Sequence, residues 1–117
     1  MDFDAAIGTH SKWKRNLRRS LSTSHGCLHP NDFRADDKCE LGQWIYGEGA
    51  RHSALPEYVN LRYAHARFHA AVGELVAKTN AGALVNAEME PCSNSEFSTA
   101  SAAVVMALMA IKKRLSA

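Results

Sequence analysis

The stretch Pro56-Glu57-Tyr58-Val59-Asn60-Leu61-Arg62-Tyr63-Ala64-His65-Ala66-Arg67-Phe68-His69-Ala70-Ala71-Val72-Gly73-Glu74-Leu75-Val76 decides the fold. Tyr58, Leu61, His65, Phe68, Val72, Leu75 and Val76 recur at steps of three and four, the signature of one apolar stripe on a helix. Proline is tolerated in a first helical turn, and Asn80-Ala81-Gly82 is a breaking tripeptide, so a long helix is expected over residues 56–80. The same spacing recurs upstream. Phe3, Ile7, His10, Trp13, Leu17 and Leu21 form a stripe that Asp2 or Asp4 would cap. It recurs downstream in Phe97, Ser101, Val104, Leu108, Ile111 and Leu115, whose alternation of four and three suits a bundle seam.

Between these lie shorter pieces. Residues 22–34 read as a loop, rich in Ser, His, Gly, Pro and Asn. Asp36 or Asp37 would cap a short helix ending near Tyr46, before Gly47 and Gly49. A further short helix is expected over residues 83–90, ahead of Pro91-Cys92-Ser93-Asn94. No strand pattern or internal repeat is present in the sequence. The expected fold is all-α: an antiparallel four-helix-type bundle of three long helices and short pieces, one short helix carrying a cysteine.

Composition sets the outer limits. A chain of 117 residues is read as one domain, residues 1–117, large enough to bury roughly two-thirds of its unfolded surface. The 14 Lys and Arg against 12 Asp and Glu give a net charge of +2, without the dense basic surface of a nucleic-acid binder. The basic residues 12–19 read as a solvated helix face that suits the macrodipole at the helix end. The apolar run 102–111 is about half of the ~20 residues that a membrane span needs. Met1-Asp2-Phe3-Asp4 is acidic where a secretory leader would be basic. With 3 Cys, an odd number, no closed disulfide framework is expected, and the chain is placed in a reducing cytoplasm where cysteines bind metal or do redox chemistry.

The 6 His concentrate the chemistry. His65 and His69 stand one helical turn apart, so two ring nitrogens project from one face, toward the bundle interior. Two buried imidazoles without partners are costly, and a metal would satisfy both. His10 sits in the middle of the first stripe. Cys39 falls at the start of its short helix, where the helix terminus is expected to lower the thiol pKa. The four make a three-His, one-Cys set that suits Zn2+ in tetrahedral coordination. A closed site of this kind points to structure or sensing and away from catalysis, since a catalytic zinc keeps an open position. A rival cluster, His25-Gly26-Cys27-Leu28-His29, would need a loop to order around the ion. His52 and Cys92 read as a surface histidine and a small packing cysteine. A small metalloenzyme is the remote alternative: no Glu lies within His-Ala-Arg-Phe-His as it does in H-E-x-x-H enzymes.

Three strings then acquire a family meaning. Thr9-His10-Ser11-Lys12-Trp13-Lys14, Lys38-Cys39-Glu40-Leu41-Gly42-Gln43-Trp44-Ile45-Tyr46-Gly47 and His65-Ala66-Arg67-Phe68-His69 resemble the chemoreceptor zinc-binding (CZB) domain of bacteria. The order His, Cys-x-x-Gly-x-Trp, His-x-x-x-His is specific when all parts occur at these gaps, and residues 100–108 resemble the end of that domain. The resemblance implies His10, Cys39, His65 and His69 as zinc ligands, an all-helical bundle and a homodimer. It also implies control of diguanylate cyclases or chemoreceptors, in some members through oxidation of the ligand cysteine by hypochlorous acid. The chain's length leaves nothing over for an output domain, so the signalling partner is expected in trans.

Overall fold

The computed structural model describes residues 1–23, 29–82 and 95–116. The elements are α1 (Phe3–Thr23), α2 (Pro30–Arg34), α3 (Glu40–Tyr46), a 3-10 turn (Glu48–His52), α4 (Pro56–Asn80) and α5 (Glu96–Ser116). All regular structure among the described residues is helical. The helix expected over residues 83–90, and the segments holding His25, Cys27 and Cys92, lie outside the described residues.

Each long helix follows its stripe. The Asp2 carboxylate accepts a hydrogen bond from the Ala5 amide at 3.0 Å, the capping expected of it. Pro56 occupies the first turn of α4, with Leu55 as the preceding N-cap residue. The core joins Leu17 and Leu21 of α1, Ile45 of α3, Leu61, Phe68, Val72 and Val76 of α4, and Phe97, Val104, Leu108 and Ile111 of α5. Ion pairs report the directions. Arg67 meets Glu96 and Arg114 reaches Glu57, so α5 runs antiparallel to α4. Lys112 meets Asp4 at 2.8 Å, so α5 is also antiparallel to α1. Thus α1 and α4 run the same way, and the chain between them is long enough to cross back.

That crossing segment corrects two expectations. Residues 30–34, read as loop, form the short helix α2, which lies against α4. Five residues are too few for an apolar period to register in the sequence. Gly73 of α4 makes the close approach possible: a Cβ there would stand 2.4 Å from Cγ of Arg34. Nor do Asp36 or Asp37 cap α3, because Cys39 is its N-cap and the residues before it are bends. Gly47 does end α3, and the 3-10 turn comes directly after it. The α3 end is tied to α4 by the buried Tyr58 hydroxyl, which donates to the Ile45 carbonyl at 2.5 Å. Among the described residues no helix is long and apolar enough to cross a membrane.

Candidate metal centre

The start of α3 and the middles of α1 and α4 meet around a small cavity. His65 and His69 leave the buried face of α4, at 2% and 5% exposure, as their place on the stripe requires. Cys39 approaches from the N-cap of α3, where its sulfur accepts the Gly42 amide at 3.3 Å. The cap geometry sets the direction of the side chain: an N-cap residue turns its side chain back over the first turn. Gly42 is required there, since a Cβ would stand 1.9 Å from the Asp36 carbonyl oxygen. A small cavity of about 50 Å3 lies between these elements, lined by His10, Trp13, Cys39, Leu41, His65, Phe68 and His69.

The donor atoms converge. Sγ of Cys39 is 3.2 Å from Nε2 of His65 and 3.6 Å from Nε2 of His69. The two Nε2 atoms are 3.1 Å apart. A tetrahedral zinc with bonds of about 2.3 Å to sulfur and about 2.05 Å to nitrogen needs S···N edges of about 3.5 Å and an N···N edge of about 3.3 Å. The three separations therefore match one face of such a tetrahedron to within a few tenths of an ångström.

Protonation supports the fit. The Phe33 carbonyl can only accept, so His69 Nδ1 donates to it at 2.8 Å. In a neutral imidazole this leaves the Nε2 lone pair aimed at the cluster. Neutrality is favoured for every ring here. Burial, with the neighbouring His69 and His10 adding to it, lowers His65 to about 4. Burial also lowers His69, against the Phe33 bond and Asp36, which oppose the shift. Nδ1 of His65 is buried without a hydrogen-bond partner among the described residues. A metal on Nε2 would place the ring proton on this far nitrogen.

Cys39 departs from the expectation for its thiol. Burial pushes the pKa up and outweighs the amides of Gly42, Leu41 and Cys39 that pull it down, while the Asp36 carboxylate adds to the rise. The helix terminus is present, but half-burial beside a carboxylate wins. A bound cation would reverse this balance, because a coordinating thiol is deprotonated outright.

His10 stands apart from the other three. The metal-compatible group, whose donor atoms all lie within 4.8 Å of one another, comprises Cys39, His65 and His69. His10 lines the same cavity at 9% exposure, with its ring 4.6 Å from that of Phe68. Its Nε2 is engaged with the Ser101 hydroxyl of α5 at 3.1 Å. Burial lowers its pKa to about 4, with Lys14 and His69 contributing.

A family model, the chemoreceptor zinc-binding domain, matches residues 10–76. The chain belongs to the chemoreceptor zinc-binding domain family. The matched span opens on His10 and encloses Cys39, His65 and His69, so the metal-compatible cluster falls inside the family's own signature. No curated protein and no solved structure gives a significant match. In this CZB domain the other two described histidines take lesser places: His52 stacks on Trp44 at 6.3 Å, and His29 is the exposed N-cap residue of α2 with no side-chain capping bond.

Three partners of the site were missed in the sequence. The Phe33 carbonyl belongs to a main-chain atom, which no residue type announces. Asp36 acts at a distance on Cys39, His65 and His69, and its carboxylate accepts the Tyr46 hydroxyl at 2.5 Å. Ser101 did leave a signal, as the one hydroxyl within the apolar stripe of α5.

Proposed function

We propose that this CZB domain is a cytoplasmic zinc-binding sensory module whose ligands are His10, Cys39, His65 and His69. Zinc occupancy would be read by a signalling protein in trans, of the diguanylate cyclase or chemoreceptor type. The observation that carries the reading is the convergence of one sulfur and two imidazole nitrogens at 3.1–3.6 Å around a small cavity. Zinc would fix the N-cap of α3 to the middle of α4. Release would leave α3 held chiefly by Ile45 and the Tyr58 bond. Because the ligands must shed protons, uptake would weaken in acid. The test is a zinc titration against a competing chelator, with substitution of the ligands. One zinc per chain, lost in Cys39→Ala and in His69→Ala, is the expected result. A tightly bound zinc in both variants would refute the assignment.

Pairing of two copies is part of the same proposal. Val59 and Tyr63 of α4, and Met106 and Met109 of α5, are 42–70% exposed on a helix pair whose other outward residues include Ala66, Ala70, Ala102 and Ala110. Small residues beside the exposed methionines let another helix pair approach closely, and apolar patches of this kind mark association sites. Sedimentation of Met106→Lys against the parent chain checks it: the parent should be a dimer and the variant a monomer.

A redox reading of the same site has its own support. Cys39 is half-buried, and its sulfur already accepts an amide hydrogen bond that favours the thiolate. Hypochlorous acid would oxidise the metal-bound thiolate to a sulfenic acid, with chloride leaving, and weaken its hold on the metal. Mass spectrometry of Cys39, with zinc release followed in parallel, separates this reading from simple zinc sensing. Cys39 unmodified until general damage sets in would count against it.

A further inference from the structure

Ser101 of α5 is 3% exposed and sits among Phe97, Val104 and Leu108, far in sequence from the residues of the cluster. Its hydroxyl engages Nε2 of His10, the same ring nitrogen that His65 and His69 turn toward Cys39. A nitrogen engaged with a hydroxyl cannot at the same time ligate a metal. His10 lies on the wall of the metal cavity yet outside the group whose donors are mutually within 4.8 Å.

We propose that Ser101 is a positioning residue of the metal centre: it holds His10 clear of the Cys39–His65–His69 group, and metal uptake exchanges the His10–Ser101 hydrogen bond for ligation. The inference rests on the reading that zinc binds here with His10 as its fourth donor. The exchange gives up the His10–Ser101 bond but leaves nothing worse behind. A helical serine released from its partner can turn its hydroxyl to the carbonyl four residues back, here that of Phe97, so no buried donor is orphaned. The serine therefore tunes affinity by about the net worth of one hydrogen bond and does not block the site. The same exchange moves one tie of α1 from α5 to α3 and α4, so metal occupancy is felt on a helix that carries no ligand.

The experiment uses the full chain and zinc alone, titrated against a competing chelator, with Ser101→Ala, Ser101→Thr and His10→Ala beside the parent. Ser101→Ala should bind zinc roughly 3- to 10-fold tighter, the fold-change equivalent of one hydrogen bond. Ser101→Thr, which keeps the hydroxyl, should restore parental affinity. Thermal melting gives the second readout. Ser101→Ala should lower the melting temperature of the metal-free protein and leave the zinc-loaded one unchanged, whereas a merely structural serine would lower both. Unchanged or weaker zinc binding in Ser101→Ala overturns the proposal and leaves the zinc site standing. Parental affinity in His10→Ala removes His10 from the ligand set and refutes the exchange. No zinc uptake by the parent chain refutes the underlying reading and the exchange with it.

Discussion

Gly42→Ala is the substitution whose effect can be worked most fully from the structure. A Cβ at this position would lie 1.9 Å from the Asp36 carbonyl oxygen, 2.8 Å from its carbon and 3.1 Å from Cα of Asp37. All three atoms are backbone, so no rotamer change relieves the clash. Carbon and oxygen do not approach closer than 3.0 Å, so the first turn of α3 and the Asp36 segment must separate by at least 3.0 − 1.9 = 1.1 Å. Cys39 lies between the two and must move with one of them. Metal–ligand distances tolerate only about 0.2 Å, so a shift of this size removes sulfur from coordination. Zinc affinity should fall by at least about 10- to 100-fold, the range seen when the support of a ligand is lost. Overpacking should also cost about 1–3 kcal/mol of stability in the metal-free chain. Gly8→Ala is the internal control. It is also a helical glycine, nothing lies within 4 Å of its would-be Cβ, and alanine there should stabilise by about 0.5–1 kcal/mol. Chelator-competition titrations and urea unfolding of both variants provide the assay. Parental zinc affinity and stability in Gly42→Ala would refute the idea that the Asp36 carbonyl sets the place of Cys39.

The remaining predictions concern pH and packing. His10 and His65 are both lowered from 6.5 to about 4, so above pH 6.5 they are neutral folded or unfolded, and below it the unfolded chain takes up protons first. The metal-free protein should therefore lose stability as pH falls from about 6.5 to about 4, seen as a falling urea midpoint; a flat midpoint across that window would contradict the burial of these rings. Tyr58→Phe removes the donor to the Ile45 carbonyl and should cost about 1 kcal/mol, with faster amide exchange in α3 than in α4. Phe68→Ala empties a position that is 2% exposed and meets the rings of His10, Trp13, His69 and Phe97. A loss of about 3–5 kcal/mol in chemical denaturation is expected, together with weaker zinc binding.

Legibility in the sequence divides along physical lines. The stripes of α1, α4 and α5 are long enough for period to speak, and α4 begins and ends at the proline and the breaker that mark it. The inward pair His65 and His69 comes from the same period, because a stripe that places Phe68 and Val72 in the core places these rings there too. Cys39 was legible as a residue near a helix start, but its thiol was not. Whether amides or burial dominate depends on how deep the sulfur sits and on Asp36, and both are set by packing. The helix α2 has five residues and leaves no period, and its place against α4 depends on the absent side chain of Gly73. The place of His10 turns on a contact with Ser101, 91 positions away, which no local pattern encodes.

The carbonyl of Phe33 that holds His69 has a bearing on how such chains diverge. Any amino acid presents the same oxygen, so the bond asks nothing of the side chain at that position. It asks instead that the peptide point the right way. Inserting or deleting one residue in a helical segment rotates the rest of that helix by about 100°. Drift by substitution in α2 should leave the imidazole oriented, while a one-residue change in its length should turn the oxygen away. A comparison of distant relatives would then find residues 30–34 constant in number, with position 33 held to apolar residues by its packing on the core and not by the bond.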